Sequence, residues 1–256
     1  MSRATQSELL DQRIAENAAA QQVDLATWIF ERVRVRPGDR VLELCCGTGG
    51  QTLNMLYRVG ENGHVTAVDI SRSALDTLSE KAGANRHRLD CIEAGLENFI
   101  SALNGERDFD IVFCAYGLYY STDVLATLAA ARSVLRREGR MVVVGPFGPN
   151  NHQLFNVVRS SGVKIGDFVI YSSETFMTQT VLPWGAQAFE SVAVHTMVNP
   201  VRWVNAERVL NYWQNTTFYD AEKRSKFEEL LREHFAKHSE FLNEKWVMLA
   251  EMSNVR

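Results

Sequence analysis

The chain has 256 residues, 46% of them hydrophobic and 23% charged, with a formal net charge of -4. That apolar content can bury a full core as one α/β domain with an elaboration, and the mild acidity gives no general attraction to phosphate backbones, which disfavours nucleic acid as a partner. No run of about 18 apolar residues occurs, and the start Met1-Ser2-Arg3-Ala4-Thr5-Gln6 has no apolar signal core, so a cytoplasmic protein without a membrane segment is expected.

In chain order, Ser7 to Val35 reads as two helices parted near Asp24, the second carrying Leu25, Trp28, Ile29 and Val33 on its apolar side. Arg13, Asn17 and Gln21 recur at helical spacing and share one face, either solvated or lining a substrate entrance. After the turn at Pro37-Gly38-Asp39, the run Val41 to Leu44 is a short buried strand that breaks into Cys45-Cys46-Gly47-Thr48-Gly49-Gly50, with a helix opening at Gln51-Thr52-Leu53. A second strand, His64 to Asp69, ends in an acid. A helix from Ser71 follows, with capping spacing at Ser73 to Asp76. A third strand is expected near Arg88 to Ile92 and a fourth at Asp110 to Ala115, which ends in Tyr116-Gly117-Leu118-Tyr119-Tyr120. The helix carrying Val124, Leu125, Leu128 and Leu135 is expected to run to Gly139, and the fifth strand to cover Arg140 to Val144. Beyond residue 150 a helix is expected at Gln153 to Ser160, and no single period explains Gly166 to Trp184. Strand alternation returns at Phe189 to Val198, Asn205 can cap a helix through Trp213, Phe227 to Phe235 is amphipathic, and Phe241 to Met252 reads as a final strand.

Strands alternating with helices predict a doubly wound, largely parallel sheet whose ligands lie at the carboxyl ends of its strands. Glycines after the first strand let a ligand approach the backbone, and the next helix offers unpaired N–H groups. Asp69 follows Gly49 at the distance of a ribose-binding carboxylate. The third glycine of a dinucleotide fingerprint is missing, since Thr52 stands there, and no Gly-Lys-Ser/Thr follows to hold a triphosphate. Glu43, at the end of the first strand, would repel a pyrophosphate but pair with an ammonium group. The four cysteines, at 45, 46, 91 and 114, have no metal-ligand spacing and read as reduced packing residues.

Glu43-x-Cys45-x-Gly47-x-Gly49 with Asp69 resembles the first two motifs of class I S-adenosylmethionine (SAM) dependent methyltransferases, although that family usually has glycine or alanine where this chain has Cys45. The resemblance extends through Phe109 to Cys114 and Leu135 to Val144, covering residues 38 to 146. It implies a Rossmann-like sheet with an antiparallel C-terminal edge strand. The single domain, 1–256, would then comprise a helical cover (1–36), a SAM-binding core (37–149), a lid or substrate wall (150–188) and C-terminal edge strands and helices (189–256).

The cofactor would be SAM, leaving S-adenosylhomocysteine, with no metal. It would meet Glu43, Cys45, Cys46, Gly47, Gly49, Gln51, Thr52, Asp69, Ile70, Gly95, Leu96, Glu97 and Cys114. Ala94 to Asn98 resembles the family's adenine loop, with Gly95 in place of its aspartate. His152, Tyr116 and Tyr120 are the catalytic candidates, a base and two orienting groups. The expected reaction is methyl transfer to an O or N atom of a small, fairly apolar metabolite. A protein or RNA methyltransferase, or a SAM-binding protein that transfers no methyl, are the alternatives, and the oligomeric state is open between monomer and homodimer.

Overall fold

The computed structural model describes residues 7–103 and 108–254. The chain forms two compact units: a first of Met1–Asp24, Pro146–Phe176 and Thr196–Val247, and a second of Leu25–Gly145, Met177–His195 and Met248–Arg256. Seven strands form one mixed sheet in the order β3-β2-β1-β4-β5-β7-β6, mostly parallel with an antiparallel edge. They are β1 (Arg40–Leu44), β2 (His64–Asp69), β3 (Leu89–Glu93), β4 (Phe109–Ala115), β5 (Leu135–Pro146), β6 (Ser191–Trp203) and β7 (Phe241–Ser253).

The second unit begins with α2 (Leu25–Phe30), after α1 (Ser7–Ala18) of the first. Parallel β1 pairs with β2 on one side and β4 on the other, Leu44 lying opposite Val68 and Cys114. Val41, Leu42, Leu44, Val112 and Phe113 are almost fully buried, as expected of strands covered on both faces. Helix α3 (Thr52–Val59) connects β1 to β2, and its C-terminal carbonyls are held by Arg88, which donates to Leu56 O at 2.9 Å and Gly60 O at 2.7 Å. Helix α4 (Arg72–Ala82) is capped by Ser71 Oγ, which accepts from Ala74 N–H, so the cap lies two residues before the predicted Ser73. Further on come α5 (Phe99–Ala102) and α6 (Val124–Ser133).

Helix α6 ends six residues before Gly139, and β5 takes up Leu135 to Gly139 as well. The reason is pairing. Leu135 lies opposite Phe109, and an irregularity between Phe109 and Ile111 lets the strand resume its register at Arg140, so Leu135 serves a strand rather than the apolar face of a helix.

The first unit contains α7 (His152–Ser160), and α8 (Asp167–Ile170) follows. From α8 the backbone stays helical through two π-type turns, Tyr171–Thr175 and Met177–Val181, into α9 (Leu182–Ala188). Each π turn advances the side-chain register, which is why no single period described this stretch. Helices α10 (Ala206–Gln214) and α11 (Arg224–Phe235) complete the first unit, and Asn205 caps α10 by accepting from Arg208 N–H at 3.0 Å. Trp203, Tyr212, Trp213, Phe227, Leu231 and Phe241 form its core, with Trp213 stacked on Phe227 at 4.1 Å between centroids.

Gln21 is not on the face of α1, because the helix stops at Ala18 and the chain turns to pair with β6. Arg202 N–H donates to Ala20 O at 2.9 Å and Gln22 N–H to Pro200 O at 3.1 Å, so these residues cover the exposed edge of the last strand. Asn199, only 2% exposed, imitates a peptide: it accepts from Val23 N–H at 3.0 Å and donates to Val23 O at 2.7 Å. Replacing it by alanine leaves two backbone groups unpaired, and Asn199→Ala should lower stability by about 1–3 kcal/mol. Urea unfolding, with limited proteolysis near residue 20, measures the loss.

Candidate functional site

The strand order reverses between β1 and β4, and in a doubly wound sheet the crevice beyond the carboxyl ends at such a reversal is where ligands bind. Strained backbone gathers there. Cys45, directly after β1, has φ +59°, and Tyr116, directly after β4, has φ +58°. Left-handed conformations cost a residue with a β-carbon about 1 kcal/mol or more, and such positions cluster at ligand sites.

Beneath the turn lies Glu43. It is 2% exposed and accepts a hydrogen bond from Thr52 Oγ1 at 2.5 Å. Burial pushes its carboxyl up to about 8; the bond from Thr52 opposes that shift and the nearby charge of Asp69 adds to it. The acid is therefore mostly neutral at pH 7, and an arriving cation would ionise it. Thr52 is fully buried, with its hydroxyl committed to Glu43. Beside it, Gln51 Oε1 is a buried acceptor without a partner among the described residues.

Asp69 is held at both oxygens. Gly47 N–H donates to Oδ2 at 2.8 Å and Ser71 N–H to Oδ1 at 2.9 Å, which ties the glycine turn to the end of β2 and leaves each oxygen a further lone pair. Ile70, 62% exposed, offers an apolar surface at the same strand end. Gly49 has φ +87°, and a β-carbon there would lie 2.3 Å from Leu78 Cδ1, so this glycine serves the packing of α4 under the turn as well as the turn itself.

Several sequence-predicted residues sit elsewhere than expected. Cys114 is 1% exposed and its thiol is hydrogen-bonded to that of Cys45, so it supports the loop from below. Gly117 closes over this pair: a β-carbon on it would stand 2.3 Å from Cys45 Cβ and 3.3 Å from Cys114 Sγ. Cys46 is also buried, which raises its thiol pKa and leaves only its backbone for the turn; its N–H donates to Val68 O. Glu97 Oε1 accepts from Thr122 N–H at 2.8 Å and from the hydroxyls of Thr122 and Ser121. The Thr122 backbone bond is the main cause holding its carboxyl below the usual range. Only Oε2, near Gly95, is left to face the loop after β3, where Leu96 is half-buried. Tyr116 is half-buried, and Tyr120 is 44% exposed with its ring 4.8 Å from that of Tyr119. His152 is exposed at the start of α7, in the first unit, while the residues above belong to the second.

Ser71 and Gly117 were missed as members of the site. Ser71 had a legible signal, a serine two residues after the strand acid. Gly117 needed the neighbouring strand to be known.

A buried acid, a glycine turn and a second acid clamped by that turn, all at the switch point, define a nucleotide-cofactor site of the doubly wound class. Residues 41–139 match the family of methyltransferase domains. The chain is 33% identical over 120 residues to 2-phytyl-1,4-naphtoquinone methyltransferase of Trichormus variabilis, covering 46% of this chain and 51% of that one. It is 30% identical over 113 residues to demethylmenaquinone methyltransferase of Alkalihalophilus pseudofirmus, covering 44% and 47%. The chain thus spans about half the length of the curated relatives it matches. Its fold is similar to that of an arsenic(III) S-adenosylmethionine methyltransferase from Chlamydomonas reinhardtii, with a TM-score of 0.53 at 19% identity over 94% of this chain and 72% of that one. The likeness to methyltransferase domains thus lies in residues 41–139, the segment that carries the glycine turn and both acids.

The donor set fits SAM. Glu43 is a buried carboxyl lacking a cation, Gln51 Oε1 lacks a donor, Asp69 is oriented with lone pairs to spare, and Ile70 is an exposed apolar contact. Among the described residues no group of three or more His, Cys, Asp or Glu side chains can hold a metal ion, and no helix is long and apolar enough to cross a membrane.

A carboxyl raised from 4.5 to about 8 keeps its proton in the folded protein and loses it in the unfolded chain, so its contribution to stability is full below 4.5 and is lost as pH rises through 8. A cation bound against Glu43 reverses this by expelling the proton. Titration of the protein with S-adenosylhomocysteine at neutral pH, in buffers of different ionisation enthalpy, should show release approaching one proton per ligand, and Glu43→Gln should abolish it. Binding by the unaltered protein without proton release would disprove the pairing.

Proposed function

We propose that this protein transfers the methyl group of SAM to a small, largely apolar metabolite of the quinone type in its reduced, hydroxylated form. The observation that carries cofactor binding is the meeting of Glu43, Thr52, Gln51 and the clamped Asp69 at one turn. The acceptor class rests on the two quinone methyltransferases among the relatives. The net charge of -4 gives no support to a nucleic-acid acceptor. Four cysteines, all free, suit a reducing compartment, and we place the reaction in the cytoplasm.

In this reading Glu43 takes the ammonium end of the cofactor, Asp69 its ribose hydroxyls and Ile70 its base. When bound, SAM supplies a methyl group on a positively charged sulfur. The chain's own contribution is chiefly to hold the acceptor in line and exclude water, and orientation alone can supply on the order of 7–11 kcal/mol of barrier reduction. Tyr116 and Tyr120, in the same unit as the glycine turn, are the side chains we assign to orienting the acceptor, their aromatic rings favouring a positive charge.

The test is incubation of the full chain with methyl-labelled SAM and a chemically reduced naphthoquinone, with mass spectrometry of the product. Labelled quinol is expected. Asp69→Ala should weaken SAM binding about tenfold or more, since it removes hydrogen bonds to a charged acceptor and frees Gly47 and Ser71 as well. Unchanged affinity in that variant would overturn the ribose assignment, and an unlabelled quinol beside tight cofactor binding would overturn the acceptor class.

A further inference from the structure

The first unit contains a second polar cluster, remote in sequence from the glycine turn. Lys245 on β7 donates from Nζ to Tyr212 Oη and to Asn151 Oδ1, each at 2.5 Å. Asn151 is itself fixed: it has φ +61°, its N–H donates to Glu244 O at 2.9 Å, and its Oδ1 also accepts from Asn243 Nδ2 at 2.9 Å. Asn243 is fully buried and takes Leu154 N–H on its other side. Lys245 is thus held in one position by groups that have no charge to offer it.

Arg13 is the second cation. Helix α1 packs on α10, which carries Tyr212, and the guanidinium of Arg13 acts electrostatically on both Tyr212 and Lys245. Burial works to raise the phenol's pKa, but Lys245 and Arg13 outweigh it and leave Tyr212 below its ordinary range. Burial, with Arg13, likewise lowers Lys245 despite its bond to Tyr212.

Among the described residues no carboxylate is paired with either cation. Glu16, one turn further along α1, is taken by Arg208 at 3.0 Å, and Glu244 Oε2 accepts from Trp246 Nε1. Both cations are half-buried, and without a carboxylate partner among the described residues they leave a positive field that an anion could neutralise. The phenol adds direction. An ammonium has no lone pair, so Tyr212 Oη accepts from Lys245 and keeps its own proton to donate elsewhere. One turn from Arg13, Asn17 Oδ1 is buried with no partner among the described residues, an acceptor open to a donor.

We propose that Arg13, Tyr212 and Lys245 form a binding site for the oxyanion of a small organic molecule, a carboxylate or phenolate, with Asn17 taking a hydroxyl of the same ligand. This goes beyond the methyl-transfer reading and does not depend on it. The Arg13 guanidinium offers a fork of N–H donors, Tyr212 a hydroxyl donor, and Lys245 the fixed charge behind it. Tyr212 is 6% exposed, while Arg13 and Lys245 are half-buried and so in reach of solvent.

The experiment uses the full chain and para-nitrophenol, whose ionised form absorbs in the visible, at a pH where the free probe is mostly protonated. Binding to the unaltered protein should raise the phenolate band, and benzoate should compete. Arg13→Met and Lys245→Met should each weaken the probe about tenfold, as expected for loss of a hydrogen bond to a charged group. Lys237→Met, at an exposed lysine of the same unit, should leave the affinity unchanged. Lys245→Met risks the Asn151 network, so Arg13→Met decides: it leaves the Glu16–Arg208 pair of α1 and α10 in place, and its fold is checked by circular dichroism. No phenolate band with the unaltered protein, or equal affinity in a folded Arg13→Met, would overturn the assignment. Loss of the band with intact SAM binding separates this site from the cofactor site.

Discussion

The Glu43–Thr52 hydrogen bond is the constraint on which the cofactor end of the molecule depends. A carboxyl inside a strand covered on both faces must be either neutral or paired, and in this chain it is neutral by burial and tied to the first turn of the following helix. That tie fixes where α3 starts. The turn between has little freedom left: Gly49 is pressed against Leu78 of α4, Gly47 N–H is taken by Asp69, and Cys45 adopts a left-handed conformation above Cys114. The loop is thus assembled before any ligand arrives, at an energetic cost stored in one unionised acid and one strained cysteine.

Burial of Glu43 divides labour between the two acids of the site. Asp69 is oriented by backbone donors at both oxygens, so it can accept hydroxyl groups without reorganising. Glu43 becomes charged only against a cation. A ligand with hydroxyls alone satisfies Asp69 and leaves Glu43 neutral, whereas one that also carries an ammonium group gains a charge pair in a low-dielectric setting. Selection between a plain nucleoside and a nucleoside joined to an amino acid follows from that difference.

Much of the second unit was legible in the sequence because its signals are local. An apolar run ending in glycines, an acid at fixed distance and strands alternating with helices depend on few residues each, and β1, β2 and β4 lie where those signals put them. What was illegible depended on partners far along the chain. Leu135 reads as helical until its pairing with Phe109 is known, and the stretch from Gly166 to Trp184 has no period because two π turns shift it. Cys114 and Glu97 lie at the right strand ends for a ligand, yet one is buried under Cys45 and the other braces Ser121 and Thr122. Position along a strand end says that a side chain is near a site, and only its own hydrogen bonds say whether it is available to a ligand.

The same reasoning bears on the first unit, where sequence reading was poorest. Its polar residues come from four separated segments: Arg13 and Asn17 from α1, Asn151 before α7, Tyr212 from α10, and Asn243 with Lys245 from β7. None of these segments has a motif, and each residue alone reads as a solvated surface group. The fold brings them together with two positive charges and, among the described residues, no paired acid, while Asn199 and the edge of β6 hold the segment after α1 in place. Packing alone does not call for two half-buried cations beside a donating phenol, whereas a bound anion would use all three groups at once.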